Sequence, residues 1–155
     1  MILSSGIREV TAGREHEDFV LKSFRRCLET VGHVESVSAH VDLLERRLRG
    51  GLGHVIIATP AGHPEYFLGW AAEEFGALVF AYVPGRLRGN GFFRQMVADL
   101  FGDGGPVRLV YWTDYAERIK RAGFPLEHDW QEFAARQQRA SRRSPRPQWN
   151  EERTT

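Results

Sequence analysis

The stretch Leu78–Leu100, LVFAYVPGRLRGNGFFRQMVADL, decides how the rest of the chain is read. Leu78, Val79, Phe80, Tyr82 and Val83 form an apolar run rich in β-branched and aromatic residues, which predicts a strand stopped by Pro84-Gly85. A basic glycine loop follows. Phe92, Met96, Val97 and Leu100 then recur at helical spacing, so the unit reads strand, turn, helix. Gly89 and Gly91 fall where the helix begins, leaving main-chain N–H groups open to an anion at the helix's positive end, with Arg86 and Arg88 adding charge.

Before this unit lies a meander. His54–Thr59 is a strand by its β-branched content, PAGHPE is a turn, Tyr66–Glu74 is a second strand, and Phe75-Gly76 turns it into the opening strand. Earlier still, Ile7–Val10 alternates like a short strand. Phe19, Val20, Phe24, Cys27, Leu28 and Val31 fall on one stripe of an amphipathic helix, and Val41, Leu44 and Leu48 on a second, stopped by Gly50-Gly51. After it, Val107–Thr113 is a strand expected beside the opening strand and parallel to it, because the intervening helix makes a right-handed crossover. Asp114 is placed to cap a helix running to about Ala122, and PLEHDWQEF holds a last strand. The order β-α-α-β-β-β-α-β-α-β describes an α+β domain with a central mixed, mostly antiparallel sheet flanked by helices.

Composition bounds the alternatives. With 155 residues, 42% hydrophobic and 26% charged, the chain suits one domain with a real core. No window approaches the ~18 apolar residues of a spanning helix, and MILSSGIREV lacks a signal-peptide pattern, so no membrane association and a cytoplasmic location are expected. Cys27 stands alone, which excludes an intrachain disulfide and favours a core thiol over a nucleophile. The six histidines lack metal-site spacing, and no metal is expected. Net charge is +1, yet residues 134–155 carry six arginines against Glu151 and Glu152, hence +4, leaving −3 for residues 1–133. The expected division is a folded domain at 1–133 and a basic, flexible tail at 134–155, which would offer nucleic acid a counterion-releasing surface.

The element order, together with Tyr82-Val83-Pro84, Arg88-Gly89-Asn90-Gly91, the helix carrying Phe92, Met96 and Val97, and the later Ala122-Gly123-Phe124, resembles the GNAT acyltransferase family of acetyl-CoA-dependent N-acetyltransferases over roughly residues 7–130. The family's loop pattern fits in two registers. Arg86, Gly89 and Gly91 satisfy it literally; counting from Val83 and from the helix's apolar positions prefers Arg88, Gly91 and Phe93, with a bulky residue where Gly or Ala is usual. The resemblance implies that Tyr82 and Val83 meet pantetheine and that Leu87, Arg88, Gly89, Asn90, Gly91 and Phe92 meet the pyrophosphate of acetyl-CoA.

It also implies direct attack of a primary amine on the thioester, with a base for the ammonium proton and an acid for the departing thiolate. The family's usual acid position is Ile119 here, so Tyr115, one turn earlier, or Tyr111 on the preceding strand would replace it. Glu73 and Glu74 are the expected bases, only one of them facing the cleft. Trp70 is either an acceptor wall or core, and Trp112 or Trp130 would serve a homodimer face. Lys22-Ser23-Phe24-Arg25-Arg26 also looks like small GNAT-like proteins of tailed phages, which would add an amine on a modified DNA base to the small-molecule and protein acceptors. Phe93 and Ile119 support an alternative of another class, a GNAT-like binding module without chemistry whose basic tail engages nucleic acid or a protein.

Overall fold

Six strands lie in one sheet in the order of the chain, β1 (Ile7–Glu9), β2 (His54–Ala58), β3 (Gly69–Glu74), β4 (Ala77–Tyr82), β5 (Val107–Leu109) and β6 (Leu126–His128). The computed structural model describes residues 7–9, 14–50, 54–63, 65–102 and 104–143. The first four strands are antiparallel neighbours, whereas β4–β5 and β5–β6 are parallel. The antiparallel joins are short, and Phe75 with Gly76, at φ 52° and 76°, closes the β3–β4 hairpin in two residues. The parallel joins need crossovers, α3 (Phe92–Phe101) and α4 (Asp114–Arg121).

Helices cover both faces. On one face, α3 and α4 bury Phe93, Met96, Val97 and Ala116 against Ala71, Leu78 and Leu109. The other face holds α1 (Arg14–Val31), α2 (Val37–Gly50) and α5 (Trp130–Arg143), whose Phe24, Leu28, Leu44 and Phe133 pack on Ile57, Trp70 and Phe80. Buried Val20, Phe24 and Leu28 recur every fourth residue, the stripe that the sequence shows. Trp70 belongs to this core: it is fully buried and its Nε1–H donates to Ser23 Oγ at 2.7 Å. Gly69 has a specific task, since a Cβ there would lie 2.5 Å from the Tyr82 carbonyl oxygen, so β3 approaches the end of β4 only without a side chain.

The division expected at residue 134 does not hold for residues 134–143. They continue α5, which starts at Trp130 immediately after the short strand β6, and Arg136 is only 2% exposed. Its guanidinium donates to Glu74 Oε1 at 3.1 Å and lies 3.1 Å from Glu132, while Arg47 approaches Glu74 at 3.7 Å. Buried charges paired in this way tie α5 to β3 and α2. Arg136 and Arg139, two of the arginines that read as tail charge, are here anchored by Glu74 and Glu132. Residues 144–155 lie outside the described residues.

Next to this pair, the Tyr111 hydroxyl and His40 Nδ1 share a hydrogen bond. Burial, helped by the Arg136 charge, lowers the His40 pKa from 6.5 to about 4, and burial raises that of Tyr111, so both are neutral partners.

Two outcomes are expected. Arg136→Ala leaves Glu74 buried without its main partner and lowers unfolding free energy by about 3–5 kcal/mol, whereas exposed Arg142→Ala changes it by less than about 0.5 kcal/mol; urea unfolding measures both. For His40, the unfolded chain takes up a proton near pH 6.5 that the folded chain refuses until about 4, so its stability contribution is complete above 6.5 and declines as pH falls through that window. The same titration on His40→Gln is expected to give a shallower slope between those values.

Candidate active site

β4 and β5 share a single register pair, Leu78 opposite Leu109. Beyond it Val110 N–H still reaches Leu78 O at 2.9 Å, but Tyr111 N–H reaches Val79 O only at 3.4 Å. β4 runs on to Tyr82 while the chain after β5 turns away towards α4, which is why the strand expected over Val107–Thr113 ends at Leu109. A wedge opens between the two strands.

Each face of the wedge carries a cavity. On the α1 side, one of about 340 Å³ is lined by Ala81, Tyr82 and Val83 of β4 and its end, Cys27, Thr30, Val31 and His33 from the end of α1, and Trp112–Tyr115 with Arg88 and Arg118. On the opposite side, one of about 360 Å³ is lined by Gly89, Gly91, Phe93 and Arg94 at the start of α3 and by Tyr115, Arg118, Ile119 and Ala122 of α4 and its end. Tyr115 and Arg118 stand in both walls.

The loop between β4 and α3 has the geometry of an anion cradle. Gly85–Leu87 make one 3-10 turn, and Gly89 and Gly91 take φ 87° and 82°, conformations that strain any residue with a Cβ. Gly91 is the N-cap of α3 and no side chain caps it, so the first-turn amides, which have no acceptor within a helix, point out at the loop. Asn90 Nδ2 donates to Leu87 O at 2.9 Å and braces the loop. Phe92 and Leu87 pack inward on the core, so only their main chains are available to a ligand. Phe93, the bulky residue of the preferred register, is 6% exposed, with its ring edge-on to Tyr115 and Phe124, so it floors the cavity between α3 and α4.

Arg88 reaches back across the wedge. Its Nε donates to the Val83 carbonyl at 3.0 Å, and its guanidinium lies 4.3 Å above the Tyr115 ring. Tyr115 is half-buried in the first turn of α4, which is fixed by Thr113 accepting the Ala116 N–H at 3.1 Å. Burial raises the Tyr115 pKa in spite of Arg88 and Arg118, so the phenol is a proton donor. Burial also raises that of Cys27, against the pull of Arg88 and Arg26, which keeps a thiol in the wall.

Of the expected site residues, Tyr82, Val83, Arg88, Gly89, Gly91 and Tyr115 come together at the wedge. Glu73 and Glu74 do not. They end β3 at the hairpin, whereas the wedge lies beside its beginning, where Trp70 pairs with Tyr82. Glu73 accepts the Gly76 N–H at 2.8 Å and pairs with His54 at 3.1 Å, and Glu74 is the buried partner of Arg136. Tyr111 turns its hydroxyl away to His40. His33, Arg94 and Arg118 went unread in the sequence, while Trp112 reads there as a dimer face and Asp114 as the cap of α4, a place that Thr113 takes instead. Arg118 alone had a local signal, since it follows Tyr115 by one turn of the same helix.

No family model matches this chain, and no curated protein matches it. Among solved structures, the GCN5-related N-acetyltransferase described as aminotransferase, class-II, from Rhodopseudomonas palustris superposes with a TM-score of 0.53 over 79% of this chain and 83% of that one, at 19% identity. A structure described as a probable acetyltransferase gives a TM-score of 0.40 at 19% identity, covering 96% of both chains. The first likeness establishes the GCN5-related N-acetyltransferase fold for this chain.

Gly91→Val forces a β-branched residue to φ 82° and crowds the amides of the cradle. Binding of inorganic pyrophosphate at the cradle, followed by calorimetry, is expected to weaken about tenfold or more, a loss of ~1.4 kcal/mol. Gly104→Ala, at φ 96° in the loop after α3, carries comparable strain away from the cavity and is expected to leave binding unchanged.

Proposed function

We propose that this protein is an acetyl-CoA-dependent N-acetyltransferase that acts on a primary amine by direct attack. The observation that carries the reading is the uncapped α3 N-terminus with Gly89 and Gly91, opening on a cavity that shares Tyr115 and Arg118 with a second cavity across the β4–β5 wedge. One side suits an elongated anionic ligand and the other a small acceptor.

The residues fit acetyl-CoA. The amides after Gly89, with Arg94 beside them, would hold the pyrophosphate, each favourable charge at a helix end contributing about 0.3–1 kcal/mol. The edge of β4 at Tyr82 and Val83, left without a strand partner beyond the wedge, would pair with pantetheine. Bound there, the ligand supplies an acetyl thioester.

This chain's own groups then handle the protons. Tyr115 stands where both cavities meet and holds its proton at neutral pH, so it serves the departing thiolate as acid. On the acceptor side, His33 uses Nδ1–H to donate to the Val31 carbonyl at 2.9 Å, which leaves Nε2 with a lone pair, and it takes the ammonium proton. Asp114, the carboxylate of that wall, is suited to holding the ammonium. Phe93 does not argue for a module without chemistry, because its ring packs between α3 and α4 and leaves the loop amides clear.

Isothermal titration is expected to show stoichiometric acetyl-CoA binding; no heat at high micromolar ligand would remove the reading. Tyr115→Phe is expected to lower kcat about 100-fold or more while acetyl-CoA affinity is kept. Glu73→Gln is expected to leave kcat unchanged.

A further inference from the structure

The charge of the acceptor-side cavity points to the kind of amine it takes. Its wall carries two guanidiniums, Arg88 and Arg118, against one carboxylate, Asp114. Neither guanidinium has a carboxylate partner among the described residues; Arg88 is engaged only by the neutral Val83 carbonyl and the Tyr115 ring. Elsewhere in the fold, arginines that face the interior are matched, as Arg136 is by Glu74 and Glu132 and Arg139 by Glu132. Cations left unmatched in a partly enclosed cavity favour an anionic ligand, and a guanidinium's fork of donors matches a carboxylate in particular.

The remaining wall sets the body of that ligand. Tyr82 and Trp112 contribute aromatic surface, and the volume of about 340 Å³ lies at the small end of ligand pockets. Trp112 is held in place, its Nε1–H donating to Glu117 at 3.0 Å and its ring stacked on His128. A polyamine would bring several cations to two guanidiniums and find a single carboxylate.

We propose, building on the acetyltransferase reading, that the acceptor is a small amino carboxylate with an apolar or aromatic body, an amino acid or close relative. Its carboxylate lies on Arg88 and Arg118, its ammonium on Asp114 and its body on Tyr82 and Trp112. Loss of the ammonium proton to His33 frees the nitrogen lone pair. A C–N bond forms to the acetyl carbonyl carbon as the C–S bond breaks, the thiolate takes the Tyr115 proton, and the second nitrogen proton, lost as the amide forms, restores the Tyr115 phenol, while His33 gives up its proton to solvent. The products are an N-acetyl amino carboxylate and the free thiol.

The test is a thiol-release assay of the full chain with L-phenylalanine and L-tryptophan, their decarboxylated counterparts phenethylamine and tryptamine, and spermidine. The expected result is a kcat/KM at least tenfold higher for each amino acid than for its decarboxylated counterpart, with spermidine below both. In Arg88→Gln and Arg118→Gln the amino acid to amine ratio is expected to fall towards one through a rise in KM for the amino acid. Taking the ratio within each variant cancels losses in cofactor binding or folding. Preference for the decarboxylated amines or spermidine, bound acetyl-CoA with no amino acid turned over, or a ratio unmoved in both variants overturns the proposal while leaving the acetyltransferase reading intact. Absence of acetyl-CoA binding removes that reading itself.

Discussion

Everything functional in this molecule depends on two parallel strands that stay paired for one register position and then part. A parallel pair whose crossovers are α3 and α4 starts both of those helices at the same end of the sheet, so their N-termini converge where β4 and β5 separate. The separation exposes a β4 edge with unspent backbone groups, and the helices bring orphan amides and positive partial charge to the same place. Binding at the carboxyl ends of strands is a general habit of parallel sheets. Here the wedge has a cavity on each face of the sheet, and Tyr115 lines both.

The opposite end of the sheet is built for rigidity instead. Glu74, Arg136, Glu132 and Arg139 form a buried and half-buried ion network, and the His40–Tyr111 bond lies next to it. Such charges cost more to desolvate than to leave in water unless each finds its partner, so the network fixes where α5 docks more than it adds stability. It also spends acids and a tyrosine that the linear chain offers as catalytic groups. Their burial as mutually satisfied pairs is what takes them out of the chemistry.

Much of the fold was legible because its signals are local. The β-branched runs, the four-residue spacing of Val20, Phe24 and Leu28, and the punctuation at Pro84-Gly85 and Phe75-Gly76 each act over a few residues. Gly89 and Gly91 were legible for the same reason, since positive φ is a property of single residues. Glu73 and Glu74 misled because strand alternation says which face a side chain takes but not which end of the sheet the cleft occupies. The arginines of α5 read as a solvated tail because composition cannot see Glu74, 62 positions away, waiting for Arg136. His33 follows α1 whereas Trp112 and Arg118 flank the start of α4, and the two segments meet only once the wedge exists.

The acid position shows how such a site tolerates a change of sequence. Ile119 and Tyr115 are four residues apart on α4, so they share one helix face and differ by about 6 Å along its axis. Both line the cavity on the α3 side, but Tyr115 alone also lines the acceptor-side cavity. Ile119, one turn further along, adds apolar wall, which helps to keep the Tyr115 proton in place by desolvation, the dominant effect on its pKa. The Arg88 guanidinium over the ring pulls the other way and favours the phenolate that forms once the proton has left. In the proposed reaction, a donor reluctant in the resting site and stabilised after transfer by a cation already in contact would have the balance that protonating a thiolate requires, with no tyrosine at position 119.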